Sequence, residues 1–386
     1  MPFTGKSTYA AGTSLPEIAE DISDLVALNA PTETPLLDAI GDASRQANST
    51  VHEWLEDGLL PNLDTVDDAT ISNPTTDTTF DVAHVERFRV GDQIRLGVAG
   101  EIMLVTAINT STKTLTVTRG YGGTTPGSIA DDAVVHILGN AALEGDDAGQ
   151  ARFTARVRQT NYTQIFSAAV EVSGSQLAVR NIGVPHELNY QKQQRTRELL
   201  RDLENTAING VAAAANPQGS AAVRRTMRGI LSFITTNTFR PGVGGFPEDP
   251  VITEAGINAA LRAIWQNGSA QADIILVGAA QKRALNTLLF PVRRFSAVDD
   301  TYRSLVNVYE TDFGVCRIVM SRWVPEGTVV FLDSSRIEIL PLAGRSFHYK
   351  PLAATGDRDS GQIIGEYTLE LRNENAHAVV SGLTDV

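Results

Sequence analysis

GEYTLELRNENAHAVVSGL, which spans Gly365–Leu383, is the most informative part of the sequence. In its first half, apolar and polar positions alternate with the period of two that is typical of a half-buried strand: Tyr367, Leu369 and Leu371 against Thr368, Glu370 and Arg372. The polar run Asn373–Asn375 breaks this period, and an alternating apolar pattern resumes at Ala376, Ala378 and Val380. The stretch therefore predicts a half-buried strand, a polar interruption and a second apolar strand.

The composition restricts the classes of function. The chain has 386 residues, which predicts two or three substructures, and 45 acidic residues against 32 basic ones give a net charge of −13. This balance argues against a general nucleic-acid binder, whose surface is usually basic. It is compatible with a container for DNA, and equally with an acidic surface that serves only solubility.

Compartment signals point to assembly in a cytoplasm. The single cysteine, Cys316, lies in the apolar run VCRIVM, so it is expected to be a buried core residue and cannot form an intramolecular disulfide. The N-terminal residues lack the apolar segment of a secretory signal. No run approaches the ~18 apolar residues that a membrane-spanning helix needs.

The first half of the chain predicts an arm followed by an excursion of strands. Residues 1–48 are predicted to be extended with one short helix, capped by Ser14 and Glu17, which must lie on its own domain or on a neighbour. TVHEWLEDGLL is a strand-like run, and the polar stretch Pro61–Thr79 is predicted to be exposed. Residues 82–139 predict a small β barrel or sandwich, since four strand patterns alternate with short turns.

The second half predicts a long helix and an α/β unit. Gly183–Ala215 has a narrow apolar stripe and ends before Asn216-Pro217, so a helix of ~45 Å is expected. Residues 253–340 contain two helical patterns and the strand runs DIILVG, CRIVMS, GTVVFLD and RIEILPL.

The order of these segments resembles that of tailed-phage major capsid proteins with the Hong Kong 97-type fold. The motifs that carry the resemblance are ETPLLDAIG, TVHEWLEDGL, VTRGYGGTT and LRNENAHAVVSGL. The resemblance implies an α+β fold of the branch with a β domain inserted in the extended loop. It divides the chain into an N-terminal arm (1–48), extended-loop arms (49–81 and 140–175), an inserted all-β domain (82–139), a peripheral domain with the spine helix (176–252 and 341–386) and an axial α/β domain (253–340).

The resemblance also implies a structural role. Copies would form hexamers and pentamers of an icosahedral head, which encloses double-stranded DNA without sequence-specific binding. The implied partners are other copies and a portal protein, with scaffolding and decoration proteins in some relatives, and no membrane. The expected location is the virion, after assembly in the host cytoplasm. The candidates for inter-subunit contacts are Ile18, Ile22, Leu25, Trp54, Glu56, Asp57, Arg152, Arg156, Arg158, Arg293 and Arg294.

The sequence contains no pattern that predicts catalysis or a cofactor. HExxH, a P-loop and a G-x-S-x-G elbow are absent, and the six histidines are scattered. We therefore expect no catalytic residues, no metal and no cofactor. Two alternatives remain open: the shell protein of an encapsulin-like bacterial nanocompartment with the same fold, and an enzyme or adhesin built on unrelated β and α/β domains.

Overall fold

The computed structural model describes residues 34–384, apart from 42, 98–99, 146–151, 153, 155, 180–185, 245, 269, 290–307 and 354–355. The chain divides into two compact units. Unit 1 comprises residues 1–54 and 159–386, and unit 2 comprises residues 55–158.

All α-helices of the described residues belong to unit 1. They are α1 (Pro35–Ile40), α2 (Gly174–Ala178), α3 (Glu187–Asn209), α4 (Ile230–Phe233), α5 (Glu254–Gly268) and α6 (Ala279–Leu289). None of these helices is long and apolar enough to cross a membrane.

The strands are short except for two. They are β1 (Val51–Glu56), β2 (Leu63–Thr65), β3 (Thr79–Asp81), β4 (Asp92–Leu96), β5 (Ile102–Asn109), β6 (Thr114–Thr118), β7 (Val134–Asn140), β8 (Val157–Tyr162), β9 (Gln164–Ser173), β10 (Thr238–Phe239), β11 (Ile274–Val277), β12 (Val308–Thr311), β13 (Gly314–Met320), β14 (Val329–Leu332), β15 (Ile337–Pro341), β16 (His348–Pro351), β17 (Arg358–Leu371) and β18 (Ala378–Val380).

A six-stranded mixed sheet forms the centre of unit 1, in the order β10-β18-β14-β11-β13-β12. Every residue of β11, β14 and β18 is buried. In β11, Ile274 and Leu276 face one hydrophobic cluster, which includes α3, and Ile275 and Val277 face a second, which includes α5. The continuous apolar run DIILVG therefore folds as a strand that is covered on both faces.

The four-stranded sheet of unit 1 is built around β17. This strand pairs antiparallel with β9 through ten residues, from Arg358↔Ser173 to Tyr367↔Gln164. On its other side it pairs with β15 and β16. The apolar residues of this sheet and of α3 share one cluster with the six-stranded sheet, so both sheets of unit 1 have a common core.

The predicted pattern of Gly365–Leu383 is confirmed as strand, polar break and strand, but two details are wrong. β17 is buried on both faces at its end, because Thr368 and Glu370 are 0% and 2% exposed. Asn373 then takes a left-handed conformation (φ 52°), which turns the chain out of this sheet. β18 consequently joins the six-stranded sheet beside β14 and not the sheet of β17. β15, which lies at the end of the predicted α/β unit, pairs with β17 in the four-stranded sheet.

The long helix is shorter than the predicted range 183–215. α3 contains 23 residues, about 35 Å, and residues 183–185 lie outside the described part of the chain. The helix ends because Gly210 approaches the backbone of Gly229, whose N–H donates to the Gly210 carbonyl at 2.8 Å. A Cβ on Gly210 would lie 2.5 Å from the carbonyl oxygen of Thr206 and 2.7 Å from that of Met227. The alanine-rich run after Gly210 favours a helix locally, but this close packing overrides the preference.

Unit 2 contains a six-stranded antiparallel sheet in the order β2-β7-β4-β5-β6-β3. A bridge between Val66 and Val82 joins the two outermost strands, so the sheet closes on itself around its own core. The members of that core with the lowest exposure are Val66, Phe80, Val82, Ile94, Met103, Val105, Leu115 and Val135. The strands predicted within residues 82–139 are confirmed as β4–β7.

The prediction that Pro61–Thr79 is an exposed excursion is confirmed for most of its residues and wrong for β2, where Asp64 and the adjacent Val66 are buried. Asp64 can be buried because its carboxylate has partners. The carboxylate of Asp64, which is 2% exposed, accepts hydrogen bonds from the His84 backbone at 2.8 Å and from Arg87 at 3.1 Å. Arg119 forms a salt bridge with buried Glu101 at 2.7 Å and donates to the carbonyl oxygens of Pro74 and Asp77.

One strand from each predicted loop arm, β1 and β8, pairs with the other in a separate two-stranded sheet. β9 follows immediately but pairs with β17 instead. The boundaries between units 1 and 2 fall within β1 and β8 along the chain.

Candidate inter-subunit surfaces

The helix α1 is held against the rest of unit 1 by a buried carboxylate. Glu204 of α3 is 0% exposed and accepts hydrogen bonds from the backbone N–H groups of Leu36 and Leu37, at 3.1 and 3.3 Å. The Ser321 hydroxyl donates to the same carboxylate at 2.8 Å. Because Leu36 is also 0% exposed, α1 is fixed by apolar burial and by hydrogen bonds together. Burial raises the pKa of Glu204, although these three donors oppose the shift.

A second anchor lies on β17. Glu370 forms a salt bridge with Arg45 at 2.9 Å and a contact with Nε2 of His52 at 2.6 Å. Burial opposes ionisation of Glu370, but the hydrogen bonds from His52 and Arg45 outweigh it and lower its pKa to about 2. Arg45 also pairs with Glu338 at 2.9 Å. The segment that follows α1 is thus attached to the four-stranded sheet through charges.

Glu366, four residues earlier in β17, has a similar arrangement of partners. This residue is 2% exposed, and its carboxylate pairs with Arg225 at 2.5 Å and with Arg345 at 2.8 Å. The hydroxyl of Thr163 donates to the same group at 2.6 Å. Each buried carboxylate of β17 therefore meets at least one arginine of the same unit.

Unit 2 carries a concavity in which arginines outnumber carboxylates, which we call the arginine concavity. It has a volume of about 910 Å³ and is lined by Asp57, Leu59, Leu60, Arg89, Arg152, Thr154 and Arg156. Arg156 contacts Asp57 at 3.7 Å, with side-chain exposures of 69% and 46%. Arg152 donates to the carbonyl oxygen of Arg87 at 2.9 Å. Leu59 is 96% exposed, so apolar surface lies beside the guanidinium groups.

The outer face of the closed sheet of unit 2 also exposes apolar residues. Leu63 is paired with His136, and the neighbouring positions of β7 on that face are Val134 and Leu138. Leu63, Val134 and Leu138 are 46%, 41% and 47% exposed. Several exposed apolar residues on one side of a sheet are typical of contact surfaces.

The structure brings together only some of the predicted contact residues. Asp57, Arg152 and Arg156 line the arginine concavity, and Glu56 and Arg158 lie near it in sequence, in β1 and β8. Trp54 is 8% exposed and its ring lies 5.9 Å from that of Phe233, so it offers little surface to a neighbour. Ile18, Ile22, Leu25, Arg293 and Arg294 lie outside the described residues.

Sequence reasoning missed the anchor residues Glu204 and Glu370. Glu204 lies between Leu203 and Ala207 on the buried face of α3. A carboxylate within an apolar stripe indicates a buried charge that needs partners, and this signal is present in the sequence. Glu370 was assigned to a solvated face, because the partner residues Arg45 and His52 are more than 300 positions away in sequence.

Two groups that often take part in catalysis are buried, since Cys316 and His377 are 1% and 0% exposed. Burial raises the pKa of the Cys316 thiol to about 11, so it is protonated at neutral pH. Burial lowers the pKa of His377 to about 4, which keeps the ring neutral. Among the residues that the structure describes, no three His, Cys, Asp or Glu side chains are grouped as metal ligands.

The sequence model of the SU10 major capsid protein family matches residues 3–384. The chain belongs to this family. The major capsid protein of Escherichia phage Phieco32 is similar to it, with 24% identity over 297 residues, which cover 64% of this chain and 83% of that protein. The predicted function, a phage major capsid protein, is thus confirmed.

Solved structures with the same fold include two capsids. The capsid of an empty GTA particle is 11% identical, with a TM-score of 0.54 over 98% of this chain and 99% of that one. The capsid of Myoviridae phage XM1 is 9% identical, with a TM-score of 0.51 over 94% and 97%. At these identities the likeness concerns the fold alone, and it confirms that this SU10-family capsid protein has the Hong Kong 97-type fold.

Proposed function

We propose that this capsid protein assembles as hexamers and pentamers into an icosahedral head that encloses double-stranded DNA. The observation that carries the proposal is the family match, which extends over residues 3–384 of 386. Subunits of a closed shell need several surfaces that are complementary to those of other copies. The arginine concavity and the apolar face of Leu63, Val134 and Leu138 are suitable surfaces.

The proposed roles of the segments follow the capsid fold. Residues 1–48 act as the N-terminal arm, residues 49–81 and 140–175 as the extended-loop arms, and residues 82–139 as an inserted domain. Residues 176–252 with 341–386, and residues 253–340, act as the peripheral and axial domains. In support, unit 2 has a core of its own, as a domain inserted in a loop requires.

The proposed role is structural, without catalysis or a cofactor. In support, the thiol of Cys316 and the ring of His377 are buried where a substrate does not reach them, and the thiol is held in its protonated, unreactive form. Assembly would take place in the host cytoplasm, with a portal protein as partner and with scaffolding or decoration proteins where the phage encodes them. The DNA is held without sequence-specific binding, which suits a chain with a net charge of −13.

Electron microscopy of the purified full-length protein tests the proposal. We expect closed isometric particles of uniform diameter, and double-stranded DNA inside the particles that are recovered from infected cells. A protein that stays monomeric at high concentration would contradict the assembly. Particles that never contain DNA would favour the nanocompartment alternative.

A further inference from the structure

The arginine concavity has more positive charge than its own carboxylates can neutralise. Three guanidinium groups line it, from Arg89, Arg152 and Arg156, with one lining carboxylate, that of Asp57. Asp92, the partner of Arg89 at 3.7 Å, is 1% exposed and already accepts hydrogen bonds from the Arg89 backbone and from Asn140. Arg89 and Arg156 thus each have one carboxylate at 3.7 Å, whereas Arg152 donates only to a neutral carbonyl, so the positive charge in excess can accept carboxylates from outside.

Two features adapt the concavity to a segment that is both acidic and apolar. The contact of Arg152 with the Arg87 carbonyl holds its guanidinium group at the rim, which lowers the entropy cost of binding. Leu59 and Leu60 supply apolar surface beside the arginines. A bare phosphate chain would leave this apolar surface without a partner.

The sequence contains one segment with the complementary pattern. In SLPEIAEDISDLV, residues 14–26, Glu17, Asp21 and Asp24 have the i, i+4, i+7 spacing of one helical stripe, and Ile18, Ile22 and Leu25 form the stripe beside it. The chain has no basic residue between Lys6 and Arg45. A helix of this length is marginal in water and gains stability when its apolar stripe is covered.

We propose that the arginine concavity of one copy binds residues 14–26 of a neighbouring copy. The carboxylates of Glu17, Asp21 and Asp24 pair with the three arginines, and the apolar stripe covers Leu59 and Leu60. The inference rests on the proposed shell, in which other copies surround each concavity. Many identical contacts of modest strength then add up over the assembly.

Disulfide trapping between two single variants tests this contact. Glu20→Cys lies beside the acidic stripe and Thr154→Cys lies in the concavity, while Cys316 is buried and serves as the unmodified background. When the two variants are co-assembled and mildly oxidised, we expect a disulfide-linked dimer that neither variant forms alone. Ser23→Cys, on the opposite side of the predicted helix, is the matched control and should link at least fivefold less.

Charge reversal provides the second arm of the test. Arg152→Glu with Arg156→Glu should abolish the link, and Glu17→Arg with Asp21→Arg on the other copy should restore it. If these variants do not assemble, a synthetic peptide of residues 12–28 replaces the segment, and its binding to the full-length chain is measured by fluorescence anisotropy. We expect at least a tenfold weaker dissociation constant for the arginine variant.

The remaining outcomes would overturn the proposal in different ways. Particles that form without the link contradict this contact but not the proposed shell, whereas failure of the unsubstituted protein to form particles contradicts the shell. If the disulfide forms only when Glu20→Cys and Thr154→Cys are in the same chain, residues 14–26 bind the concavity of their own copy. If Arg152→Glu with Arg156→Glu reduces the packaged DNA but leaves the disulfide unchanged, the arginines bind phosphate instead.

Discussion

The buried carboxylates of β17 and the arginine concavity of unit 2 use the same pair of chemical groups in opposite ways. In unit 1, Glu366 and Glu370 are 2% exposed, and each is surrounded by cationic side chains of the same unit. In unit 2, the arginines of the concavity are exposed and exceed their carboxylates. Pairing within a unit therefore fixes the fold, while unbalanced charge at a surface is left for another molecule.

Removing a carboxylate from β17 should have the largest effect. Glu370→Ala removes the buried carboxylate that Arg45, His52 and Arg372 share, and leaves the two arginines with Glu338 alone. We expect a loss of about 3–5 kcal/mol in the free energy of unfolding, which is typical when one partner of a buried pair is removed. Urea unfolding of the full-length protein measures it, with Arg156→Ala as control. A loss below about 1 kcal/mol would contradict the structural role of this network.

Acid should weaken the same network. The pKa of Glu370 lies at about 2, below its ordinary value of 4.5. A lowered carboxyl pKa stabilises the folded state above the ordinary value, and this stability is lost as the pH falls from about 4.5 to about 2. The contribution is about 3 kcal/mol. Unfolding free energies measured over this range should fall less steeply in Glu370→Gln, and equal slopes would show that Glu370 is not the responsible group.

Removing the carboxylate that anchors α1 should have an intermediate effect on the free energy of unfolding. Glu204→Ala leaves the N–H groups of Leu36 and Leu37 and the Ser321 hydroxyl without their acceptor, at a cost of about 2 kcal/mol. Glu204→Gln keeps an acceptor and should cost less. Because burial raises the pKa of Glu204, its stabilising contribution is full below the ordinary value and is lost as the pH rises through the raised pKa. Glu204→Gln should remove this dependence in chemical denaturation experiments, and its persistence would contradict the assignment.

The concavity should matter least for the stability of a single chain. Arg156 is 69% exposed and 3.7 Å from Asp57, so Arg156→Ala should change the unfolding free energy by less than about 1 kcal/mol. The same substitution should reduce the yield of assembled particles in sedimentation experiments, more strongly at low salt. A change in stability as large as that of Glu370→Ala would remove the distinction between the two regions.

Local patterns predicted the elements with strong periodicity. The strands β4–β7, the buried strand β11 and the break at Asn373 follow from alternation and turn residues, and they required no knowledge of distant contacts. The sheet to which each strand belongs could not be predicted in this way. β18 pairs with β14, and β15 with β17, because of packing between residues that are 26 or more positions apart.

The predicted contact residues of the surface and the buried carboxylates differ in what the sequence shows. Asp57, Arg152 and Arg156 were named as contact residues and line one concavity, and their role in contacts between copies stays a prediction. Glu204 and Glu370 were not identified, because a carboxylate is normally exposed and only the tertiary structure supplies their donors. The three-residue strand β2 was missed for the same reason, since its buried Asp64 depends on Arg87 and His84.

The position of β18 has a consequence for synthesis on the ribosome. β18 lies between β10 and β14, and the amide of Asn237 donates to the His377 carbonyl, 140 residues later. At ~5–20 residues per second, translation of that interval takes on the order of 10 s. Throughout this time the edge of β10 that pairs with β18 has no partner strand in the nascent polypeptide. Chaperones that shield such an edge would therefore set the yield of usable subunits before any shell begins to form.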